Sequence, residues 1–492
     1  MNLDFLFTAI GNVFNLLSLL AIFTGVTIGI VIGALPGLTA TMGVALLLPI
    51  TFGMKPEIGL PMLMALYCGA MYGGSISAIL IHTPGTGAAA ATCLDGYPMA
   101  QKGEGGKAIG FSLVASFIGG IFSAIVLLFI APPLSNVALL FGPPEFFTLA
   151  ILGLTLIGTL AEGNWIKGLI SGSIGLLLAT VGMDILRGEP RFVFGQVHLL
   201  GGIPFVPALI GLFSLSQGLI LIGREMKKKI KSEQVSGKIL PTLPELSKVK
   251  NTILRSSIVG TLVGIIPGTG GDLATWVGYN EAKRNSKDAH LFGTGIPEGV
   301  VASEAANNAV TGGALVPLMT LGIPGSSVTA VLLGGLLVHG VRPGVTFMSE
   351  NGDLSFTIIF SLFVANFVML LVGYAFAKLG VHITRVKNNI IAPIIIVLSV
   401  TGSYAIGNSL FDVKLMFVFG IIGYIMHQYK FPLAPVVLGL ILGPIAESGL
   451  RQSLLISGGN WAIFVTRPLS ALLLGIALLS LYSAIKKDRK NI

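Results

Sequence analysis

Four Pro-Gly pairs interrupt strongly apolar sequence: Pro36-Gly37, Pro84-Gly85, Pro267-Gly268 and Pro324-Gly325. Hydroxyl side chains accompany each one. They are Thr39 and Thr41 at the first, Thr83 and Thr86 at the second, Thr269 at the third, and Ser326 and Ser327 at the fourth. Proline breaks the helical hydrogen-bond ladder, and glycine permits backbone angles that other residues resist. One such pair alone reads as a kink or a close-packing site, both common in membrane helices. Four at corresponding places read as discontinuous helices around a binding site. A helix starting after each pair would offer unpaired N–H groups and the positive end of its dipole to an anion such as a carboxylate. The apolar residues flanking the pairs include no Lys or Arg to do that work. Unpaired carbonyls before each break could hold a cation such as Na+.

Acids mark a second set of candidates. The stretch 296–327 places Glu298, Glu304, Asn307 and Asn308 at the start of an apolar helix, with Glu304 and Asn308 on one face. Two readings stand for Glu304 and the asparagines: an intramembrane site, with Glu304 as a coupling-ion candidate and Asn307 and Asn308 as substrate-binding candidates, or a helix start at the interface. Glu298 reads as a helix-start residue. Asp272, after the third break, reads either as a helix cap or as a cation ligand. Asp95 reads as the first residue of a solvated loop.

These residues need a frame that crosses lipid. The 492-residue chain is 53% hydrophobic and 10% charged, against about 25% charged in soluble domains. Its charges cluster, and between the clusters run continuous apolar stretches of about 20 residues, the length that spans a bilayer as a helix. The backbone in lipid must satisfy its own hydrogen bonds. An all-α polytopic membrane protein with about 11–12 membrane segments is expected. The net charge of +9 fits Lys/Arg-rich cytoplasmic loops and not a nucleic-acid partner. The N-terminus lacks the basic region of a cleaved signal peptide. Cys68 and Cys93 read as small packing residues.

The breaks recur in order, which predicts two homologous halves at 13–223 and 251–450, a basic linker at 224–250 and an extra helix at 461–485 within one transport domain. The segments 252–266 and 273–279 look short and suggest a re-entrant hairpin. The cluster Arg224–Lys238 and the tail Lys486–Lys490 are strongly basic and should be cytoplasmic. The extra helix then inverts the second half. Matched loops agree: 131–144 carries no charge, while 378–387 carries Lys378, Arg385 and Lys387. The N-terminus falls outside. Inverted repeats are a signature of secondary transporters.

The stretches "GALPGLTATMGVALLLP", "YGGSISAILIHTPGTGAAAATCLDGYPMAQKGEGGKAIG", "GIIPGTGG" and "EGVVASEAANNAVTGGALVPLMTLGIPGS" resemble the large membrane subunit of tripartite tricarboxylate transporters, the TctA family. The resemblance covers nearly the whole chain. It implies a bacterial inner-membrane permease that takes up a citrate-like di- or tricarboxylate. The partners it implies are a small membrane subunit and a periplasmic carboxylate-binding protein. It also implies no cofactor beyond Na+ or H+ as coupling ion, in keeping with a sequence that has no phosphate-binding GxxxxGK[ST] loop. An anion channel is the first alternative, because broken helices and inverted halves also suit a pore. An intramembrane protease is the remote one. "TGGD" at 269–272 places Thr where the GxGD aspartyl-protease pattern needs Gly, and neither HExxH nor GxSxG occurs.

Overall fold

The computed structural model describes residues 3–160, 165–184, 188–223, 239–268, 270–383 and 388–488. The basic cluster 224–238, Thr269 and residues 384–387 lie outside them. Eight of the described helices are long and apolar enough to cross a membrane, and four shorter apolar helices accompany them. The described strands are one antiparallel pair, Gly182–Met183 with Pro190–Arg191. The protein is an all-α polytopic membrane protein.

The chain folds into two compact units, and each takes residues from both sides of the basic cluster. One comprises Met1–Pro133 and Gln217–Leu398, the other Leu134–Ser216 and Ser399–Ile492. The first unit holds every Pro-Gly break. Its first-half helices are α1 (Leu3–Val13), α2 (Leu16–Ala34), α3 (Ala40–Thr51), α4 (Pro56–Ile81), α5 (Cys93–Met99) and most of α6 (Gly105–Ala138). From the second half come α7 (Leu243–Ile265), α8 (Gly270–Asn285), α9 (Pro297–Gly313), α10 (Leu315–Leu321), α11 (Ser327–Val338) and α12 (Gly352–Ile383).

Glycine decides how α2 packs. Gly25, Gly29 and Gly33 lie in turn on the carbonyls of Met62, Leu66 and Ala70, so α2 and α4 run in the same direction, backbone against backbone. Small residues permit this approach in lipid. A chain that passes from α2 to a parallel α4 must turn back between them, and α3 is the return. Thus α2 and α3 form a helical hairpin with Pro36-Gly37 at its tip. The second half repeats the arrangement. Gly260 lies on the Ala306 carbonyl, Thr252 Oγ1 donates to Glu298 Oε1 at 2.8 Å, and α8 is the return arm with Pro267-Gly268 at the tip. Glycines 37 and 268 have φ of +91° and +85°, a region side chains resist.

Both arms of the second hairpin are longer than 252–266 and 273–279. The polar first turns of α7, with Glu245, Lys248 and Lys250, hide its start from a search for apolar runs. The hairpins enter from opposite ends. His339, just past α11, has Nε2 3.3 Å from Thr51 Oγ1 at the mouth of the first hairpin. Lys107, at the start of α6, has Nζ 2.5 Å from Glu245 Oε1 at the mouth of the second.

Two expected loops are largely helix. Residues 95–107 run through α5 and, past a kink at Gly103 with φ of +83°, into α6, and α6 runs on through 131–138. In the second unit, Pro143–Leu160, Trp165–Ala179 and Ala434–Ile456 pack through Gly175, Gly439 and Gly449. Ion pairs brace it: Arg467 with Glu145 at 2.8 Å, Arg191 with Glu447 at 2.7 Å and Arg451 with Asp184 at 2.8 Å. Its last helix is Pro468–Asp488, not 461–485, because Ile463–Thr466 forms a separate turn before Pro468.

Candidate functional site

Each hairpin tip crosses the other break of its own half. A Cβ on Gly85 would collide with the Gly33 carbonyl, and one on Gly325 would collide with the Gly264 carbonyl. Gly33 and Gly264 each stand three residues before their proline. The contacts below the tips match as well. Gly73 lies on the Ile30 carbonyl and Gly313 on the Thr261 carbonyl. The amides of Gly268 and Gly270 both donate to the Gly325 carbonyl, at 3.0 and 3.3 Å.

The breaks also meet between halves, in two crossings. In one, the start of α3 faces the start of α11, with Thr41 Oγ1 and Ser327 Oγ 3.0 Å apart. In the other, Gly87, beside the second break, lies on the Asp272 carboxylate in the first turn of α8. All four Pro-Gly pairs therefore converge. Three are followed directly by α-helices. Pro84-Gly85 is followed by a short 3-10 turn, Gly87–Ala89, so the expectation of a new α-helix there is corrected.

The hydroxyls named from the sequence divide by task. Thr39 and Ser326 are N-caps: Thr39 Oγ1 accepts from the Met42 amide at 3.2 Å, and Ser326 Oγ accepts from the Thr329 amide at 3.2 Å. Thr329 Oγ1 accepts in turn from the Ser326 amide at 2.8 Å, completing a capping box. Thr41 is the second residue of α3 and Ser327 the first of α11, and they bond each other. Thr86 Oγ1 is buried without a partner. The Tyr67 hydroxyl, facing Ser326, makes no hydrogen bond of normal geometry. Asn307 donates from Nδ2 to the Met71 carbonyl at 3.0 Å and leaves Oδ1 buried and unpaired. An unpaired buried polar group costs roughly 1–3 kcal/mol. Thr86 Oγ1 and Asn307 Oδ1 both belong to residues beside the Gly87–Asp272 crossing.

Glu304 and Asn308 occupy another face of α9. Glu304 is fully buried. Its Oε1 accepts from Thr92 Oγ1 at 2.5 Å and its Oε2 from Ser116 Oγ at 3.1 Å. Asn308 Nδ2 donates to the same Ser116 oxygen at 2.7 Å. A neighbouring pair, Ser75 and Ser112, are 2.7 Å apart. Glu304 is thus a carboxylate enclosed by protein and held by hydroxyls from the first half. Glu298 does stand in the first turn of α9, accepting from Thr252 and from Ser286 at 2.7 Å.

Asp95 corrects the sequence reading. It is fully buried in α5 and is not the head of a solvated loop. Tyr279 Oη donates to it at 2.8 Å, as do the amides of Gly293, Gly295 and Ile296 at 3.0, 2.8 and 3.0 Å. One donor from α8, Tyr279, and three amides from the α8–α9 connection hold a first-half carboxylate. Residues that sequence reasoning missed, Tyr67, Thr92, Ser116 and Tyr279, carry no local signal. Each is an ordinary polar residue in an apolar run, and only packing brings it to its partner. Cys68 and Cys93 are buried free thiols.

Parallel glycine seams, paired hairpins and converging helix breaks define a multi-pass membrane protein with discontinuous helices. Residues 19–438 match the model of the tripartite tricarboxylate transporter TctA family, and the chain belongs to that family. It is 37% identical over 474 residues to an uncharacterized 52.8 kDa protein of the TAR-I ttuC′ 3′ region of Agrobacterium vitis, covering 96% of this chain and 94% of that one. An uncharacterized protein of the TAR-II ttuC′ 3′ region of the same organism is 35% identical over 237 residues, 47% of this chain and 98% of its own. No solved structure matches.

Proposed function

We propose that the protein is the large membrane subunit of a three-component, binding-protein-dependent secondary transporter that takes up a citrate-like di- or tricarboxylate. The gradient of Na+ or H+ drives it, and no catalytic step is involved. The observation that carries the reading is the Thr41–Ser327 crossing. There two helix starts, one from each half, point hydroxyls at each other. Amides at helix starts suit a carboxylate without a cationic side chain. Substrate binding is assigned to this crossing and to the Pro-Gly backbone around it, with Asn307 and Asn308 as further candidates. Ion coupling is assigned to Asp272 and Glu304.

The matched contacts of the hairpins support reading 13–223 and 251–450 as inverted homologous halves. The basic cluster then lies in the cytoplasm of a bacterial inner membrane, with the N-terminus periplasmic and the C-terminus cytoplasmic. The partners in this reading are a small membrane subunit and a periplasmic carboxylate-binding protein. Family membership supports partner subunits in general. Proteoliposomes containing the permease, the small subunit and the binding protein would be given a panel of labelled carboxylates, with Na+ and pH gradients imposed separately. Gradient-dependent accumulation of a di- or tricarboxylate is expected. Purely downhill flux under both gradients would overturn the reading.

A further inference from the structure

At the mouth of the first hairpin lies a cavity of about 820 Å³, bounded by the end of α1, the start of α2, the α3–α4 turn and the start of α4. Its lining is polar where α2 and α4 begin and apolar along α2. The polar part holds Asn12, Asn15, Lys55 and Glu57. Lys55 is the N-cap of α4 and makes no side-chain capping bond. Neither Lys55 nor Glu57 joins an ion pair among the described residues. Asn15 Oδ1 accepts from the Leu17 amide at 2.9 Å, which leaves its amide hydrogens as donors. Asn12 Nδ2 donates to Thr357 Oγ1 at 3.2 Å, which leaves its Oδ1 as an acceptor. Each residue alone is ordinary for a helix start. Together they supply two donors, one of them cationic, and two acceptors, one of them anionic.

The apolar part follows one face of α2. Leu17, Leu20 and Thr24 line the cavity at spacings of three and four, which places them in one stripe about 10 Å long. Leu17 and Leu20 are 60% and 53% exposed. Thr24 Oγ1 donates to the Leu20 carbonyl at 2.7 Å, so its hydroxyl is spent on its own helix. Ala21 and Met62 close the floor and are buried. The stripe therefore leads from paired charges toward the hydrocarbon, as a lipid does. A phosphate suits the donors, and a primary ammonium, with three hydrogens to give, suits the acceptors. We propose that this cavity holds a phospholipid with a primary-amine headgroup. Its phosphate lies on Lys55 and Asn15, its ammonium on Glu57 and Asn12, and one acyl chain along Leu17, Leu20 and Thr24. This site is independent of the transported substrate and of the driving ion.

The test uses purified full-length protein, stripped of lipid in detergent. It is titrated with dioleoylphosphatidylethanolamine, with the phosphatidylcholine and phosphatidylglycerol of the same chains, and with glycerophosphoethanolamine. Bound lipid is counted by native mass spectrometry. One phosphatidylethanolamine per protein should saturate first, with the other two lipids weaker by at least about tenfold. A quaternary ammonium has no hydrogen to give Glu57, and the glycerol headgroup has no ammonium. Glu57→Gln should bring phosphatidylethanolamine and phosphatidylcholine within a few-fold of each other. Lys55→Gln and Leu20→Trp should weaken every lipid, the first at the shared phosphate and the second by filling the chain track. If the charge variants do not yield folded protein, Leu20→Trp and the comparison of lipids on the parent carry the test. Equal affinity of the parent for phosphatidylethanolamine and phosphatidylcholine would overturn the proposal. So would an unchanged preference in folded Glu57→Gln, or glycerophosphoethanolamine binding as tightly as the lipid.

Discussion

Thr41 Oγ1 and Ser327 Oγ lie 3.0 Å apart although 286 residues separate them in the chain. Each sits just inside a helix that follows a Pro-Gly break, so the pair joins two helix starts from different halves. If a substrate carboxylate sits there, Thr41→Val and Ser327→Ala should each lose a hydrogen bond to a charged group, roughly 1.5–3 kcal/mol. That is on the order of a tenfold to hundredfold loss of apparent affinity in uptake assays. Expression should be unaffected, since Val keeps nearly the volume of Thr. Parent-like uptake in both variants would return the pair to a packing role.

Glu304→Gln keeps the shape of a buried side chain and removes its charge. If Glu304 relays or holds the coupling ion, uphill accumulation should fall further than substrate exchange across the same proteoliposomes. Exchange needs the site to alternate but gains nothing from a gradient. Equal loss of both, with unchanged dependence on Na+ and pH, would take Glu304 out of the coupling machinery.

Asp95 accepts four hydrogen bonds in a buried setting. Asp95→Asn turns a donor toward amides that already donate. It should lower stability to unfolding in detergent by roughly 3 kcal/mol. Tyr279→Phe removes one donor of the four and should cost roughly 1.5 kcal/mol. Parent-like melting of Asp95→Asn would show that the carboxylate does not hold the α8–α9 connection.

The proposed orientation can be read by thiol labelling. Both native cysteines are buried, so background reaction with an impermeant reagent should be low. In intact cells with a permeabilised outer membrane, a cysteine at Asn136 should react and one at Lys287 should not. Both positions are exposed. Labelling of both from the outside would defeat the inverted arrangement.

The sequence made the breaks legible because proline and glycine act locally, on the backbone they occupy. It also made the membrane class legible through the length of its apolar runs. What it could not carry was pairing. Nothing near Thr41 names Ser327, and nothing near Asp95 names Gly293 to Ile296. A carboxylate in a glycine-rich stretch reads as a loop until its donors arrive from the other half. The second hairpin was visible only in part, because α7 begins with charged turns that an apolar search discards. The first hairpin was missed for a different reason. Its return arm α3 reads as a continuation of α2, and only the parallel glycine seam shows that the chain turns back.

That seam has a mechanical consequence. Where Gly25, Gly29 and Gly33 rest on the carbonyls of α4, nothing larger than the methyl of Ala65 lies between the two backbones. An interface without rotamers has nothing to repack, and a shift along it drives a side chain into a carbonyl. The first hairpin's outer arm and α4 therefore travel as one stiff lever, as do α7 and α9. Whatever opens and closes the path to the crossings bends the chain somewhere else.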